Sequence, residues 1–459
     1  MKQILLVPEL RELLAARDTE TIRRFCTERH PATVAELISG LDAGEIWRVL
    51  HLLGVKDRAE IFSHFDLDQQ VELATGQNRQ DMARLLEEMD ADERADLVQR
   101  LDEKVRGELL PLMARAERED IRKLVSYAEG TAGAVMTTDY AALKPGIGIT
   151  QALEQIRIQA PSKATIYYIY VVDEQHRLVG FVSLKDLIMA RPNQMVEEVM
   201  HRDVISVGVQ DDQEEAARKI EKYDLLAIPV VNGNNVLVGI VTHDDAMDIL
   251  RQEQQEDIEK FMAISGRHAA GEYLKTPAWV HFKNRAYWIV GLAALGLVSG
   301  MIIHGFEATL INLIILALYM PMVADTGGNT GSQSATVVVR ALALGEVRPR
   351  DVLRVIVKEF KIAFLLALIL GVLSFGKVMW LSQGTEIPIG FSLTRIGLAI
   401  AVALSLQVVT ATLIGALLPL GAAKMKLDPA VVASPALTTI VDITGLLIYF
   451  TTAKLLLGI

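Results

Sequence analysis

Asp442 is the one carboxylate of the apolar run SPALTTIVDITGLLIYFTTAKLLL, and Thr438, Thr439 and Thr444 stand around it. Inside a bilayer a charged carboxylate costs about 2.5–3.5 kcal/mol on insertion scales. No Lys or Arg of this run stands at its level. A bound cation is the simplest compensation; protonation or a position at the membrane edge would also relieve the cost. A hard divalent cation such as Mg²⁺ takes oxygen ligands and keeps several waters, so one carboxylate with nearby carbonyls and hydroxyls can hold it. A second polar cluster interrupts the apolar stretch ALYMPMVADTGGNTGSQSATVVVRALALG, Ala317 to Gly345. Pro321 removes a helical hydrogen bond, Gly327, Gly328 and Gly331 admit another backbone or a hydrated ion, and Asn329 and Gln333 offer uncharged oxygens. Small-residue helix packing accounts for the glycines but not for the two amides together. With no Lys after the glycines, the stretch is not a phosphate loop. The expectation is a break in a membrane helix that lines a water-filled pathway.

Five stretches are long and apolar enough to carry these residues across a bilayer, at about 286–304, 308–341, 360–382, 393–420 and 430–457. Lys283 and Arg285 precede the first. Arg340, Arg348, Arg350, Arg354, Lys358 and Lys361 fall between the second and third, and Lys424 and Lys426 between the fourth and fifth. The connections near HGFE and SQGTEIPIG lack Lys and Arg. All basic loops then lie on one side, which places the N-terminus in the cytoplasm and the C-terminus outside.

The rest of the chain is acidic. Of the total charge of −11, residues 271–459 contribute +5 and residues 1–270 contribute −16. That balance argues against nucleic-acid binding and suits cation binding as well as plain solubility. Cys26 is the single cysteine of the chain, so an internal disulfide or a cysteine metal cluster is excluded. The opening MKQILLVPELRELL has too short an apolar run for a signal peptide, in keeping with a cytoplasmic front half. Residues 1–132 read as short helices. Leu41-Asp42, Phe65-Asp66 and Met89-Asp90 recur every 24 residues, each followed three residues later by Glu45, Gln69 or Glu93. This capping-box pattern predicts a small helical solenoid, with Asp18 on the same period. A second repeat, Val171–Leu187 against Val230–Ala246 at an offset of 59, alternates helical and β-rich stretches.

The two α/β copies, 133–194 and 195–245, resemble a tandem CBS-domain pair. In that family a Ser or Thr three residues before an Asp binds nucleotide ribose, which here selects Ser183 with Asp186 and Thr242 with Asp245. The same Asp can equally cap the next helix. From Asp244 to Glu259 the chain reads as one long acidic helix, the connecting segment 246–275, which leads to the membrane part 276–459.

With PMVADTGGNTGSQSAT and DPAVVASPALTTIVDITGLLIYF, the whole order of parts resembles the MgtE family of magnesium channels. The resemblance implies a multidomain α-helical membrane protein with an α-helical superhelical N-domain, an α/β tandem CBS pair and a five-helix transmembrane domain. It implies a homodimer with the pore between subunits. Asp442 would hold hydrated Mg²⁺, helped by backbone oxygens near Thr438 and Gly445, and Asn329 would match the pore-region asparagine. Ser332 departs from members with a second asparagine there. The resemblance also implies a Mg²⁺ sensor that closes the connecting "plug" helices over the pore. Its acids would be Glu60, Asp92 and Asp96, then Glu214, Asp224, Asp245 and Asp248, and Glu253, Glu256 and Asp257 in the connecting helix. ATP is a further expected ligand of the CBS pair. Two other readings stand beside it: a secondary transporter coupling metal to H⁺ or Na⁺ through Asp442, and a nucleotide-responsive receptor whose membrane half is an anchor. An enzyme is disfavoured, because no nucleophile–base pair stands out.

Overall fold

The computed structural model describes residues 7–262, 264, 273, 276–429 and 435–458. The end of the connecting segment (263, 265–272 and 274–275) and the start of the expected fifth span (430–434) lie outside the described residues. The chain divides into two compact units, Met1–Arg251 and Gln252–Ile459.

The first unit opens with short amphipathic helices, from Val7–Ala16 to Arg115–Val125. Their apolar faces meet in one core around Leu50, Phe62, Leu73 and Met82. Each helix is too short to be stable alone, so stacking on neighbours holds the series together. The periodic aspartates all fall at helix starts, but their chemistry differs. Asp42 makes the full capping box, accepting from Glu45 N at 2.8 Å while Glu45 reaches back to Asp42 N at 3.3 Å. Asp18 caps its helix by accepting from Thr21 N. Asp66 and Asp90 occupy N-cap positions with no side-chain capping bond. The expected box is therefore corrected at those two repeats. At the third, Glu93 turns instead to Ser63.

Two three-stranded sheets follow with identical connectivity. Tyr140–Leu143 pairs parallel with Thr165–Val172, which pairs antiparallel with Leu178–Ser183. Val207–Gly208 pairs parallel with Ala227–Val231, which pairs antiparallel with Leu237–Thr242. The sequence repeat is thus a structural repeat. The next helix, His243–Phe261, starts directly after the last strand and buries Ala246 and Ile249 in the second copy's core.

In the second unit the long helices are Ala278–Gly305, Ile315–Ala343, Val352–Leu381, Leu393–Lys424 and Pro435–Leu457, here called the first to fifth spans. Four are long and apolar enough to cross a membrane; the second span has 29 residues, about 44 Å of helix, but carries the polar run. The fourth span is the hub, lying against the second, third and fifth. Tyr319 and Ser382 share a hydrogen bond of 2.7 Å between the second and third spans, and the Tyr449 hydroxyl donates to the Leu316 carbonyl at 2.8 Å. Phe306 stacks on Phe450 with ring centroids 4.9 Å apart.

The break expected in the second span is not there. The helix runs unbroken from Ile315 to Ala343 with Pro321 inside it. Proline lacks one N–H, so the loss is a single bond near the helix start, and the polar run continues in helical register. The glycines serve close packing: a Cβ on Gly331 would stand 3.1 Å from the Ala411 carbonyl oxygen of the fourth span.

Candidate ion site and acidic crevice

Helical spacing decides which residues of the second span share a face. Pro321, Asp325, Asn329 and Gln333 recur every four residues and are all exposed in the single chain, whereas Gly327, Thr330, Gly331 and Ser334 are buried against other spans. Gly331, expected on the pathway, therefore belongs to the helix contact. Asn329 Nδ2 donates to Asp325 Oδ2 at 3.3 Å. The fifth span brings its own oxygens to this stripe. A Cβ on Gly328 would meet Thr438 Cγ2 at 3.9 Å, and Thr438 is exposed while Asp442, one turn on, is half-buried. Among the described residues Asp325 is the charged group that acts on Asp442. Gly445, one turn further, is buried against Gln407 of the fourth span.

Asp325 was not among the residues expected to form the site. Its signal was present, a second carboxylate in an apolar span, but only the fold brings its charge within reach of Asp442. Asp325, Asn329, Thr438 and Asp442 offer two carboxylates, an amide oxygen and a hydroxyl, donor types that a hydrated divalent cation takes.

In the first unit a second concentration of acid arises from one helix. Ala91–Arg100 presents Ala91 and Ala95 to Ala216, Ala217 and Ile220 of the second CBS copy. Small residues at this spacing let the helix approach closely, and the residues that follow them, Asp92 and Asp96, come with it. Arg94 fixes the helix further. It is buried, donates to the Leu86 and Met89 carbonyls, and pairs with Glu117 at 2.5 Å.

Asp92 is pushed well above the usual carboxylate range by burial and then by the charges of Asp245 and Glu93. Burial and neighbouring acids raise Glu93 to about 7, against a hydrogen bond from Ser63. Asp96 is reached by solvent yet stands between protein walls, and burial followed by Asp245 raises it to about 6. Asp245 is likewise raised to about 6, chiefly by burial, although the Thr242 hydroxyl donates to it. Glu60 adds its charge at Asp90, which is raised mainly by burial and by Asp139 and Asp244.

The charges of Asp92, Asp96 and Asp245 act on one another here, together with those of Asp90, Glu93 and Asp244. Asp90 and Glu93 were hidden in the sequence by their reading as a capping pair. Other expected sensor residues are engaged elsewhere. Glu214 pairs with Arg218 at 2.6 Å and Asp248 with Arg251 at 3.1 Å. Asp224 ends its helix in the left-handed conformation at φ +51°. In the second unit, partial burial and the charge of Asp428 raise Asp257, while Glu256 pairs with Lys260 at 2.9 Å; Glu253 is half-buried on the same helix. Among the described residues no three acidic, His or Cys side chains close into a ready-made cage. The crevice fits a hard cation that keeps its waters and takes one or two carboxylates directly: its donors are oxygens, crowded and short of positive charge.

The CBS pair also holds a small cleft of about 100 Å³ lined by Tyr168, Tyr170, Phe181, Asp203, Ala227 and Pro229. Ser183 and Asp186, expected to reach a ribose, satisfy each other in a capping box, with hydroxyl to carboxylate at 2.6 Å and Asp186 N to the hydroxyl at 3.0 Å. Burial opposes the Asp186 charge, but Ser183 and His201 outweigh it and hold the carboxyl below its usual range.

Comparison with known proteins agrees with this layout. Residues 320–452 match the divalent cation transporter family MgtE, 29–130 the MgtE intracellular N domain, and 132–193 and 196–252 the CBS domain. The magnesium transporter MgtE of Thermus thermophilus is 38% identical over 98% of both chains. That of Bacillus subtilis is 35% identical over 96% of this chain and 95% of its own. A crystal structure of the cytosolic domain of the Mg²⁺ channel MgtE in complex with ATP is 37% identical, with a TM-score of 0.50, over 52% of this chain and 98% of that one. The chain belongs to the MgtE family of magnesium transporters.

Proposed function

We propose that this transporter is a Mg²⁺ channel of the cell membrane, closed when cytosolic Mg²⁺ occupies the acidic crevice and the connecting helix. The observation that carries the reading is the pair Asp325 and Asp442, set with Asn329 and Thr438 among long helices that are mainly apolar. Two carboxylates with no opposing base among the described residues suit a permeating divalent cation. Inward movement needs no ATP hydrolysis, since a divalent ion gains about 4.6 kcal/mol per 100 mV.

The lining stripe is exposed in one chain, so a second copy facing it would complete the ring of ligands; a homodimer with the pore on its axis follows. The N-terminus lies in the cytoplasm and the C-terminus outside, as the basic loops require. Gating follows from charge: bare acids across the crevice repel, and a divalent ion between them removes the repulsion. ATP is a regulatory ligand of the CBS pair in this reading, supported by the aromatic cleft and by the relative crystallised with ATP.

The same carboxylate pair also suits a carrier that exchanges protons for metal, and one experiment separates the two. Purified protein in planar bilayers is exposed to defined Mg²⁺ on the cytosolic face. Unitary currents that close as that Mg²⁺ rises support the channel. Saturating flux without unitary currents, accompanied by stoichiometric proton movement, would replace it with the carrier.

A further inference from the structure

Gln407 has no place in the ion site as described. It lies within the fourth span, wholly buried, and its amide occupies two notches. A Cβ on Gly327 of the second span would stand 2.5 Å from Gln407 Nε2, and one on Gly445 of the fifth span 2.6 Å from it. Nε2 donates to the Val441 carbonyl at 2.9 Å. A carbonyl only accepts, so the nitrogen must face it and the amide orientation is fixed. The other end, Oε1, is buried with no hydrogen-bond partner among the described residues. A half-satisfied amide is a poor choice for filling space, since methionine would pack there without an orphaned oxygen. What glutamine adds is the bond to Val441, the residue that precedes Asp442.

We propose that Gln407 is a positioning residue for the ion site. Its amide pins the turn of the fifth span that carries Asp442, between the two glycine notches, and so sets the distance from Asp442 to Asp325. The inference rests on the Mg²⁺-transport reading and adds a source of selectivity to it. Mg²⁺ demands near-ideal octahedral geometry, whereas Ca²⁺ accepts irregular and variable shells. A fixed carboxylate spacing therefore favours Mg²⁺, and a loosened one gives up that advantage.

The test uses the full-length protein in liposomes, with initial Mg²⁺ uptake measured against Mg²⁺ concentration and against added Ca²⁺. Gln407→Met keeps the volume and removes both the donor and the orphaned oxygen. Gln407→Glu keeps the shape and, when ionised, lacks the donor; it serves if the Met variant does not fold. The expected result is a half-saturating Mg²⁺ raised about tenfold, a maximal rate within about twofold of wild type, and stronger inhibition by Ca²⁺. A merely structural role would lower the amount of folded protein and leave half-saturation and Ca²⁺ sensitivity unchanged in what remains, and that result overturns the proposal. Wild-type liposomes that pass no Mg²⁺ would overturn the transport reading and this inference together, whereas conducting wild type with unaltered variants overturns this inference alone.

Discussion

Neutralising Asp245 is expected to stabilise the cytosolic unit most at alkaline pH and to blunt its response to Mg²⁺. The carboxyls of Asp245 and Asp96 are raised from 3.8 to about 6, and that of Glu93 from 4.5 to about 7. An acid with a raised pKa in the folded state holds its proton there after the unfolded chain has released it. Stability therefore falls as pH rises from about 4, levelling off near pH 7 for the two aspartates and near pH 8 for Glu93. For Asp245 the shift sets a ceiling of about 3 kcal/mol at pH 8, at 1.36 kcal/mol per unit. Water reaches part of the crevice, so about 1–2 kcal/mol is the expected gain in Asp245→Asn. At about 2–4 °C per kcal/mol for a unit of this size, the variant should melt about 2–8 °C higher at pH 8 without divalent ions. At pH 5 the gap should roughly halve. Asparagine still accepts from the Thr242 hydroxyl, so the local turn is kept.

Other groups in the unit do not reverse the sign. Asp18 and Asp186, held below their usual range, finish titrating below this window. His64 is lowered by burial and by His30, so its contribution rises as pH climbs toward about 6.5 and is level above it, but it is one group against several acids. The assay is thermal unfolding of the full-length protein in detergent at pH 5, 6.5 and 8, with chelator and with Mg²⁺, beside hydrogen exchange of the helix Ala91–Arg100. Mg²⁺ should raise the wild-type midpoint at pH 8 more than the variant's, because binding to the folded state alone stabilises it. A wild-type midpoint that is flat or rises from pH 5 to pH 8 in chelator would refute the reasoning. So would a variant with the wild-type slope and the full Mg²⁺ response.

Asp442→Asn, which keeps shape and removes charge, should cut Mg²⁺ uptake at least tenfold in liposomes with the melting temperature unchanged within about 2 °C; wild-type uptake would remove Asp442 from the pathway. Asn329→Leu and Gly331→Val should fail differently: the first stays folded and loses flux, because Asn329 lies on the exposed stripe. The second loses stability by about 1–3 kcal/mol through overpacking against Ala411, and equal melting temperatures for the two would contradict the assignment of their faces. Ser183→Ala should cost about 1 kcal/mol by removing the capping box, read as a lower unfolding midpoint, with Mg²⁺ uptake unaltered.

The order of parts was legible because each rests on a local signal. Four of the five spans announced themselves by apolar length, and the CBS pair by a repeat whose sheets then proved identical in connectivity. Period-24 aspartates marked the helix starts of the solenoid, where Asp18 and Asp42 act as side-chain acceptors and Asp66 and Asp90 do not. What a local signal cannot carry is the choice between two uses of one side chain. Asp90 and Glu93 have capping-box spacing in the sequence, and so do Asp42 and Glu45, yet only Asp42 and Glu45 close the box. The difference comes from Ala91 and Ala95, which draw the later helix against the second CBS copy and leave its acids facing Asp245.

Glycine raised the same difficulty in the second span. Three glycines and a proline are compatible with a broken helix and with a tightly packed one. The deciding facts are the Gln407 side chain and the Ala411 carbonyl on the fourth span, some 80 residues away in sequence. The fold also brings the charge of Asp325 to act on Asp442. The chemistry of the site was therefore readable as residue types, whereas its geometry depends on pairs far apart in the chain. Those pairs, Asp325 with Asp442 and Gln407 with Val441, are where a substitution should change ion preference without changing the fold.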